Sequence, residues 1–185
     1  MQVVDYNQSP DVGQMLPSER QALHEKVLAT KPGIVCEVGT WKGGGSTFFI
    51  ASAMVRNRLG HLHTIEIDPE LHATAVHEYD TAWLWLQSAV TFHLGNSLEI
   101  FPTVLAEVGQ VDGLMLDGKE DSDQTVLEFQ MFLPYLTPTA WVACHDWNCG
   151  KMTAMRDILT PANGWEPETV ITDTSTGFAI LQRVP

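Results

Sequence analysis

A glycine-rich segment after a short apolar run is the part of the chain best suited to bind a ligand. The apolar run 34–38 predicts a β-strand, and Gly39 and glycines 43–45 follow it before a helical pattern begins at Ser46. Glycine has no side chain, so such a loop can approach a ligand closely. The start of the helix adds unpaired backbone N–H groups and the positive end of the helix dipole.

The spacing of these glycines argues against two common nucleotide-binding loops. A dinucleotide fingerprint needs G-x-G-x-x-G, but Trp41 stands where a glycine should follow Gly39, and counting from Gly43 fails as well. A P-loop ends in Gly-Lys-Ser/Thr, whereas Lys42 precedes the later glycines. The acidic residue inside the strand, Glu37, would suit a cationic ligand better than a pyrophosphate.

A second acidic residue lies at the distance from the loop at which a ribose is usually held. Residues 62–67 predict a second strand, after which Asp68 suits an N-cap and Pro69 the first helical position. Glu66, at the carboxyl end of that strand, lies about 20 residues beyond the glycine loop, where a carboxylate can accept hydrogen bonds from ribose hydroxyls. A plain surface carboxylate is the alternative interpretation.

Polar side chains also follow three later strands that apolar runs predict. They are Asn96 and Ser97 after residues 90–94, Asp117 after 111–116, and His145 and Asp146 after 141–144. Because ligands bind beyond the carboxyl ends of parallel strands, we expect Asp117 and Asp146 to face one crevice. Two carboxylates there suit a hard divalent cation such as Mg²⁺. The structural alternatives are a turn residue for Asp117, a cap for Asp146 and a core histidine for His145.

The elements that must position these residues alternate between strands and helices. This alternation predicts an α/β fold with one doubly wound, mostly parallel sheet and a C-terminal antiparallel hairpin. We expect an N-terminal arm over residues 1–17 and a single domain over 18–185. The predicted strands are 34–38, 62–67, 90–94, 111–116, 141–144, 168–171 and 177–181, and the predicted helices begin near 18, 44, 69, 97, 122 and 152.

Composition bounds the class of protein. The chain has 185 residues, 44% hydrophobic and 18% charged, which is ordinary for one globular domain. A formal net charge of −13 without a basic cluster argues against nucleic acid as a partner. Without a bilayer-length apolar run or a signal-peptide pattern, we expect a cytoplasmic protein with no membrane partner. Cys36, Cys144 and Cys149 do not suggest a disulfide framework.

Three of these segments resemble the motifs of class I S-adenosylmethionine (SAM)-dependent methyltransferases. They are E-V-G-T-x-x-G-G from Glu37, T-I-E-I-D-P-E around Glu66, and L-G-N-S ending at Ser97. With the rest of the pattern, the resemblance covers residues 18–184 and implies the Rossmann-like sheet of that family. It implies that SAM is bound by Glu37, Gly39, Thr40, Gly43, Ser46, Glu66, Asn96, Ser97 and Asp117.

Within that family, the two aspartates are similar to those of metal-dependent small-molecule O-methyltransferases of the catechol, caffeoyl-CoA and cephalosporin-hydroxylase-like type. The resemblance implies a divalent cation, Mg²⁺ or another, bound by Asp117, Asp146 and Asn148. It also makes His145, Asp146 and Lys119 the candidate catalytic residues. The chain departs from the family pattern at two places. Asn148 is not adjacent to the second aspartate, and Lys119 stands one position before the usual lysine.

The resulting prediction is SAM-dependent O-methylation of a small-molecule hydroxyl, assisted by a divalent metal ion where one is bound. A non-catalytic SAM-binding module is one alternative, because the third metal ligand and the lysine are displaced. An NAD-dependent oxidoreductase is another, although the glycine spacing argues against it. Leu84 lies outside the apolar stripe of its predicted helix and so is available to contact a partner. The sequence is therefore compatible with a homodimer.

Overall fold

Seven strands form one sheet, and helices connect most of them, as the alternation of apolar segments predicts. The computed structural model of the chain describes residues 4–7, 14–118 and 121–184. The strands are β1 Ile34–Val38, β2 His61–Glu66, β3 Val90–Leu94, β4 Val111–Leu116, β5 Leu136–His145, β6 Trp165–Ile171 and β7 Phe178–Arg183. The α-helices are α1 Pro17–Thr30, α2 Ser46–Asn57, α3 Pro69–Thr81, α4 Ser97–Val108, α5 Ser122–Phe132 and α6 Thr153–Ile158.

The order of the strands creates the place where a ligand can bind. The order is β3-β2-β1-β4-β5-β7-β6; β1 to β5 run parallel, and β7 lies antiparallel between β5 and β6. The predicted fold class is therefore confirmed. The chain builds outward from β1 to β3 and then returns to start β4 on the other side of β1. Such a switch point opens a crevice beyond the carboxyl ends of β1 and β4.

Helices cover both faces of the sheet, and each face has its own apolar core. One core includes Phe101 of α4, Phe129 of α5 and Met155 of α6. The other includes Leu23 of α1 and Phe49 of α2. Burying aromatic and aliphatic side chains on both faces holds the strands rigidly, so the residues that follow the strands have fixed positions.

Two strands begin several residues earlier than predicted, and each contains a proline, Pro138 in β5 and Pro167 in β6. β5 begins at Leu136, because Leu136 pairs with Val111 of β4 before an irregularity in the register. β6 begins at Trp165, and Pro167 lies beside a similar irregularity on the outermost strand. Proline lacks a backbone donor and is tolerated at bulges and edges, so it interrupts the sequence pattern without ending the strand.

The α-helices begin within two residues of their predicted starts. Asp68 caps α3 as predicted, accepting hydrogen bonds from the backbone nitrogens of the first turn. For α4 the capping side chain is that of Asn96, which accepts a hydrogen bond from the Leu98 nitrogen. α1 begins at Pro17, one residue before the predicted start, and the Glu19 carboxylate accepts a hydrogen bond from the Leu16 nitrogen.

The described part of the N-terminal arm packs against the domain. Tyr6 stacks on Phe49 with ring centroids 5.7 Å apart, and Met15 is buried in the core. The division of the chain into an arm and a domain stays a prediction. All three cysteines are free thiols. Among the described residues, no helix combines the length and apolar character needed to cross a membrane.

Candidate functional site

A cleft of about 440 Å³ lies at the switch point, beyond the carboxyl ends of the parallel strands. The walls bring together seven of the residues predicted from the sequence. They are Gly39, Glu66, Asn96, Ser97, Asp117, His145 and Asp146. Gln14 and Trp41 also line the cleft, so the end of the N-terminal arm contributes to its wall. The fold therefore gathers residues that are far apart in the sequence into one concave site.

The glycine loop fits closely between β1, β2 and β4. The backbone nitrogens of Gly39 and Thr40 both donate to the Ile65 carbonyl oxygen at 3.1 Å. Gly39 has a φ of 98°, and a Cβ there would lie 2.2 Å from the carbonyl oxygen of Asp117. Only glycine meets both conditions without displacing the backbone. Gly39 therefore keeps the loop low enough to leave the cleft open.

Glu66 is held by three backbone donors at the edge of the cleft. The Trp41 nitrogen donates to its Oε2 at 2.8 Å. The nitrogens of Ile67 and Asp68 donate to its Oε1 at 2.9 and 3.0 Å. Each carboxylate oxygen has two lone pairs, so the side chain can still accept further hydrogen bonds. The arrangement fixes a carboxylate in the position expected for ribose hydroxyls.

Glu37 is fully buried beneath the glycine loop. Its Oε2 accepts hydrogen bonds from the hydroxyls of Thr47 at 2.6 Å and Thr64 at 2.7 Å. Its Oε1 has no hydrogen-bond partner among the described residues. Burial raises the pKa of Glu37 to about 7, although hydrogen bonds from Ser46, Thr47 and Thr64 oppose this effect. An unsatisfied buried oxygen of this kind suits a cation or a water that reaches it from the cleft.

Three predicted SAM ligands lie behind the cleft wall. Thr40 and Ser46 line a small neighbouring cavity of about 40 Å³. Gly43 contacts α3, where the Tyr79 hydroxyl donates to its carbonyl oxygen at 3.2 Å and a Cβ would lie 3.2 Å from Ala75. These residues shape the loop, and their role as direct SAM ligands stays a prediction.

The opposite end of the cleft carries a buried carboxylate that the sequence did not indicate. The Ser97 hydroxyl donates to Oε1 of Glu128 at 2.6 Å, and the Gln124 amide donates to the same oxygen at 3.1 Å. Asn96 uses its side-chain oxygen to cap α4. The sequence did not indicate Glu128, because it lies within helix α5, six residues after the helix begins, and not at the end of a strand.

A lysine ammonium lies between the two aspartates at the strand ends. Nζ of Lys151 is 2.9 Å from Oδ1 of Asp117 and 2.7 Å from Oδ2 of Asp146. Asp146 itself has a left-handed φ of 57°, a backbone conformation that is uncommon for a residue with a side chain. Only a weak signal in the sequence points to Lys151, namely a single basic residue soon after an acidic strand end.

His145 is surrounded by carboxylates. Its Nδ1 is 3.2 Å from Oδ1 of Asp117 and 3.5 Å from Oδ1 of Asp146, and its Nε2 is 3.4 Å from Oε2 of Glu19. Burial alone would lower its pKa, but hydrogen bonds with Asp117 and Glu19 outweigh that effect and raise the pKa of His145 to about 10. His145 is then an imidazolium at neutral pH, which disfavours the general-base role that the sequence suggested.

Glu19 joins the first helix to the site, a role that the sequence analysis did not indicate. Its side chain is fully buried, and Oε2 both accepts from the Leu16 nitrogen at 2.8 Å and faces His145. The other oxygen, Oε1, has no hydrogen-bond partner among the described residues. We call Glu19, Asp117, His145, Asp146 and Lys151 the charge cluster.

The charge cluster includes a group that could hold a metal ion. Ligand atoms of Asp117, His145 and Asp146 all lie within 4.8 Å of one another. Asn148, the third ligand predicted from the sequence, is not brought to this group. Its amide nitrogen donates to the carbonyl oxygens of Thr172 at 3.3 Å and Thr174 at 2.8 Å, in the β6–β7 loop.

A metal ion would also have to compete with the lysine. An ion bound to Asp117 and Asp146 would need the oxygens that Lys151 already contacts. Lys119, the remaining catalytic residue suggested by the sequence, lies outside the described residues.

Comparison with known families gives one match. A family model described as a methyltransferase domain matches residues 36–147, which is more than half of the chain. The matched segment runs from β1 to the end of β5 and includes Glu37, Glu66, Asp117 and Asp146. No curated protein matches the chain.

Solved structures share the fold at low sequence identity. The chain is similar to the O-methyltransferase TomG from Streptomyces achromogenes, in complex with SAM, with a TM-score of 0.77 and 21% identity over 95% of this chain and 83% of that one. An O-methyltransferase from Bacillus cereus, in complex with SAH, gives 0.74 and 17% over 91% and 82%. The SAH-bound methyltransferase PaMTH1 from Podospora anserina gives 0.73 and 14% over 96% and 83%.

Proposed function

This chain belongs to the methyltransferase domain family, and from that premise we propose that it transfers a methyl group from SAM to a hydroxyl oxygen of a small molecule. The observation that carries the proposal is the pairing of the Gly39 loop with the anchored Glu66 carboxylate at the switch point. The similar structures of TomG and the Bacillus cereus enzyme are those of O-methyltransferases with SAM or SAH bound. These similarities support the choice of methyl donor and of an oxygen acceptor.

The proposed position of SAM follows from its charges and hydroxyls. The ribose hydroxyls donate to Glu66, and the amino-acid end passes over the Gly39 loop. The positive charge of the donor attracts the buried Glu37, whose Oε1 lacks a partner among the described residues. The base lies toward Asn96 and Ser97, at the end of the cleft that also exposes the apolar side chain of Ile67.

The proposed reaction is an in-line displacement at the methyl carbon. A hydroxyl oxygen forms a bond to that carbon, the carbon–sulfur bond breaks, and its electron pair returns to sulfur as neutral SAH leaves. Because the donor is already activated, the main contribution of the protein is to align the oxygen with the methyl group.

The hydroxyl must also lose its proton, and Asp146 is the proposed acceptor. Its carboxylate lines the cleft and is oriented by Lys151 and His145. Proton acceptance by a positioned carboxylate is general-base catalysis. His145, held as an imidazolium, orients the two aspartates and does not take the proton itself.

The proposed acceptor is small and is neutral or cationic. The cleft volume of about 440 Å³ must hold the reacting parts of both donor and acceptor. Acidic side chains on the cleft walls, Glu66, Glu128, Asp117 and Asp146, disfavour anionic acceptors. The indole of Trp41 lines the cleft and offers a flat face on which an aromatic acceptor can stack.

Further parts of the proposal concern the setting of the reaction. We propose that the chain works in the cytoplasm, without nucleic acid or membrane partners. Leu84, with 59% of its surface exposed, is the proposed contact if two copies associate. Analytical ultracentrifugation of wild type and Leu84→Glu tests that contact, because a monomeric wild type would contradict it.

Calorimetry with SAM, SAH and NAD is the first test of the proposed function. We expect SAM and SAH to bind and NAD not to bind. Tight NAD binding without SAM binding would instead indicate an oxidoreductase.

Methyl transfer to a panel of catechols, phenols and sugars is the second test. Asp146→Asn should reduce turnover far more than it reduces SAM affinity. Wild-type protein that binds SAM and methylates no hydroxyl in the panel would be a non-catalytic SAM-binding module.

A further inference from the structure

We propose that Lys151 is the resident cation of the cleft: its ammonium holds Asp117 and Asp146 where a divalent metal ion would otherwise bind, so that methyl transfer needs no metal. The inference rests on the proposed function for its catalytic consequence. The identity of the cation is inferred from the geometry of the charge cluster alone.

Lys151 is buried and is held by the turn in which it lies. Only 1% of the Lys151 side chain is exposed, and lysine is almost never buried unless it is paired. It lies in a 3₁₀ turn, Gly150–Met152, which follows β5 closely, and the next residue, Met152, is buried in the core. Met152 therefore anchors the backbone beside the lysine, and Nζ contacts both aspartates from this turn.

The oxygens that a metal ion would need already contact other side chains. Oδ1 of Asp117 faces two of them, Nζ of Lys151 at 2.9 Å and Nδ1 of His145 at 3.2 Å. Both oxygens of Asp146 face the same two residues. The donor set that remains for an incoming ion is thus small, and Asn148 does not add to it because its amide contacts the β6–β7 loop.

Repulsion between positive charges also disfavours a metal ion beside Lys151. Mg²⁺ binds carboxylate oxygens at about 2.0–2.1 Å, closer than the ammonium does. An ion on the same oxygens would place two positive charges within about 3–4 Å of each other, where repulsion is strong in a partly buried site. Metal binding and the Lys151 contacts therefore exclude each other. Lys151 is part of the folded chain, so its ammonium contacts these oxygens without any ion from solution. A metal ion would have to displace it.

The consequence for the reaction is that Lys151 is a positioning residue. Through its two hydrogen bonds it fixes Asp146, the proposed proton acceptor, and Asp117 on the neighbouring strand. It also places one positive charge beside two carboxylates, which offsets the repulsion between them.

Mn²⁺ titration followed by electron paramagnetic resonance tests the proposal without relying on activity. We expect millimolar Mn²⁺ to remain free in the presence of wild type and of Lys151→Arg, which keeps the charge. Lys151→Met removes the ammonium that contacts both aspartates and frees those oxygens, so the variant should bind Mn²⁺ at least about tenfold tighter. The double variant Lys151→Met/Asp146→Asn should lose that gain. A purely structural lysine would lower stability on substitution without creating a metal site.

Thermal unfolding gives a second readout. The Tm of wild type should be the same with EDTA and with Mg²⁺, whereas Mg²⁺ should restore part of the stability that Lys151→Met loses. Stoichiometric Mn²⁺ binding by wild type that Asp146→Asn abolishes would overturn the proposal. This comparison does not need Lys151→Met, so it tests the proposal even if that variant does not fold. Lys151→Met that folds and binds Mn²⁺ no better than wild type would overturn it too.

Failure of the proposed function leaves a different signature. Absence of SAM binding in calorimetry would refute methyl transfer, while the Mn²⁺ titration would still identify the cation. If both proposals hold, EDTA leaves turnover by wild type unchanged.

Discussion

At the scale of single residues, Glu66 shows how backbone donors prepare a carboxylate for a ligand. Three N–H groups hold it, so binding requires little further ordering of the side chain. We expect Glu66→Ala to weaken SAM binding by about 1.5–3 kcal/mol, since a charged hydrogen-bond acceptor is lost. Calorimetry measures the change. Glu70→Ala, which removes an exposed carboxylate from the first turn of α3, should leave the affinity nearly unchanged.

Glu37 illustrates the opposite situation, a carboxylate whose charge is costly until a ligand arrives. Its folded-state pKa of about 7 lies above the ordinary 4.5, so the unfolded chain ionises first as the pH rises. The stability that protonated Glu37 contributes is therefore present below about pH 4.5 and lost as the pH rises through about 7.

Replacing Glu37 by a neutral isostere should separate its effects on stability and on binding. From about pH 5 to about pH 8, Glu37→Gln should become increasingly more stable than wild type in urea unfolding, because only wild type must bury a charge. At about pH 8 the variant should bind SAM more weakly, because it has no charge to offer the donor. A parallel fall in stability and affinity at all pH values would contradict this explanation.

At the scale of elements, the glycine loop depends on one backbone position. A Cβ on Gly39 would meet the Asp117 carbonyl oxygen, and its φ is positive, so Gly39→Ala should destabilise the protein by about 1–3 kcal/mol. Gly150→Ala is the matched control, because a Cβ there has nothing within 4 Å. Urea unfolding measures both, and equal effects would show that the loop tolerates a side chain.

The first helix is joined to the site through Glu19. His145 has a pKa of about 10, so its contribution to stability is present below about pH 6.5 and lost as the pH rises through about 10. Glu19→Gln removes one of the interactions that raise this pKa, and the NMR titration of the His145 ring should move to lower pH. Glu25→Gln, on an exposed position of α1, should not move it.

These elements also show what a sequence can and cannot reveal about a site. Gly39, Glu66, Asp117 and Asp146 were predictable because each follows an apolar run, and parallel strands bring such ends together. Lys151 and Glu19 were not, because their roles depend on how a turn and a helix pack over the sheet. Asn148 was expected to join Asp146 because the two are close in the chain, but the turn directs its amide toward the β6–β7 loop.

At the scale of the whole molecule, the net charge of −13 acts on every ligand that approaches the cleft. Like-charged acceptors are repelled over distances up to the Debye length, which is about 10 Å at 0.1 M salt and shorter at higher salt. Raising the ionic strength should therefore lower the KM for acceptors that carry a carboxylate, while the KM of neutral phenols should change little. Turnover assays with a matched acid and its amide measure this difference. Equal salt responses of the two acceptors would mean that the local contacts of Lys151 and His145, and not the field of the whole chain, determine which acceptors enter.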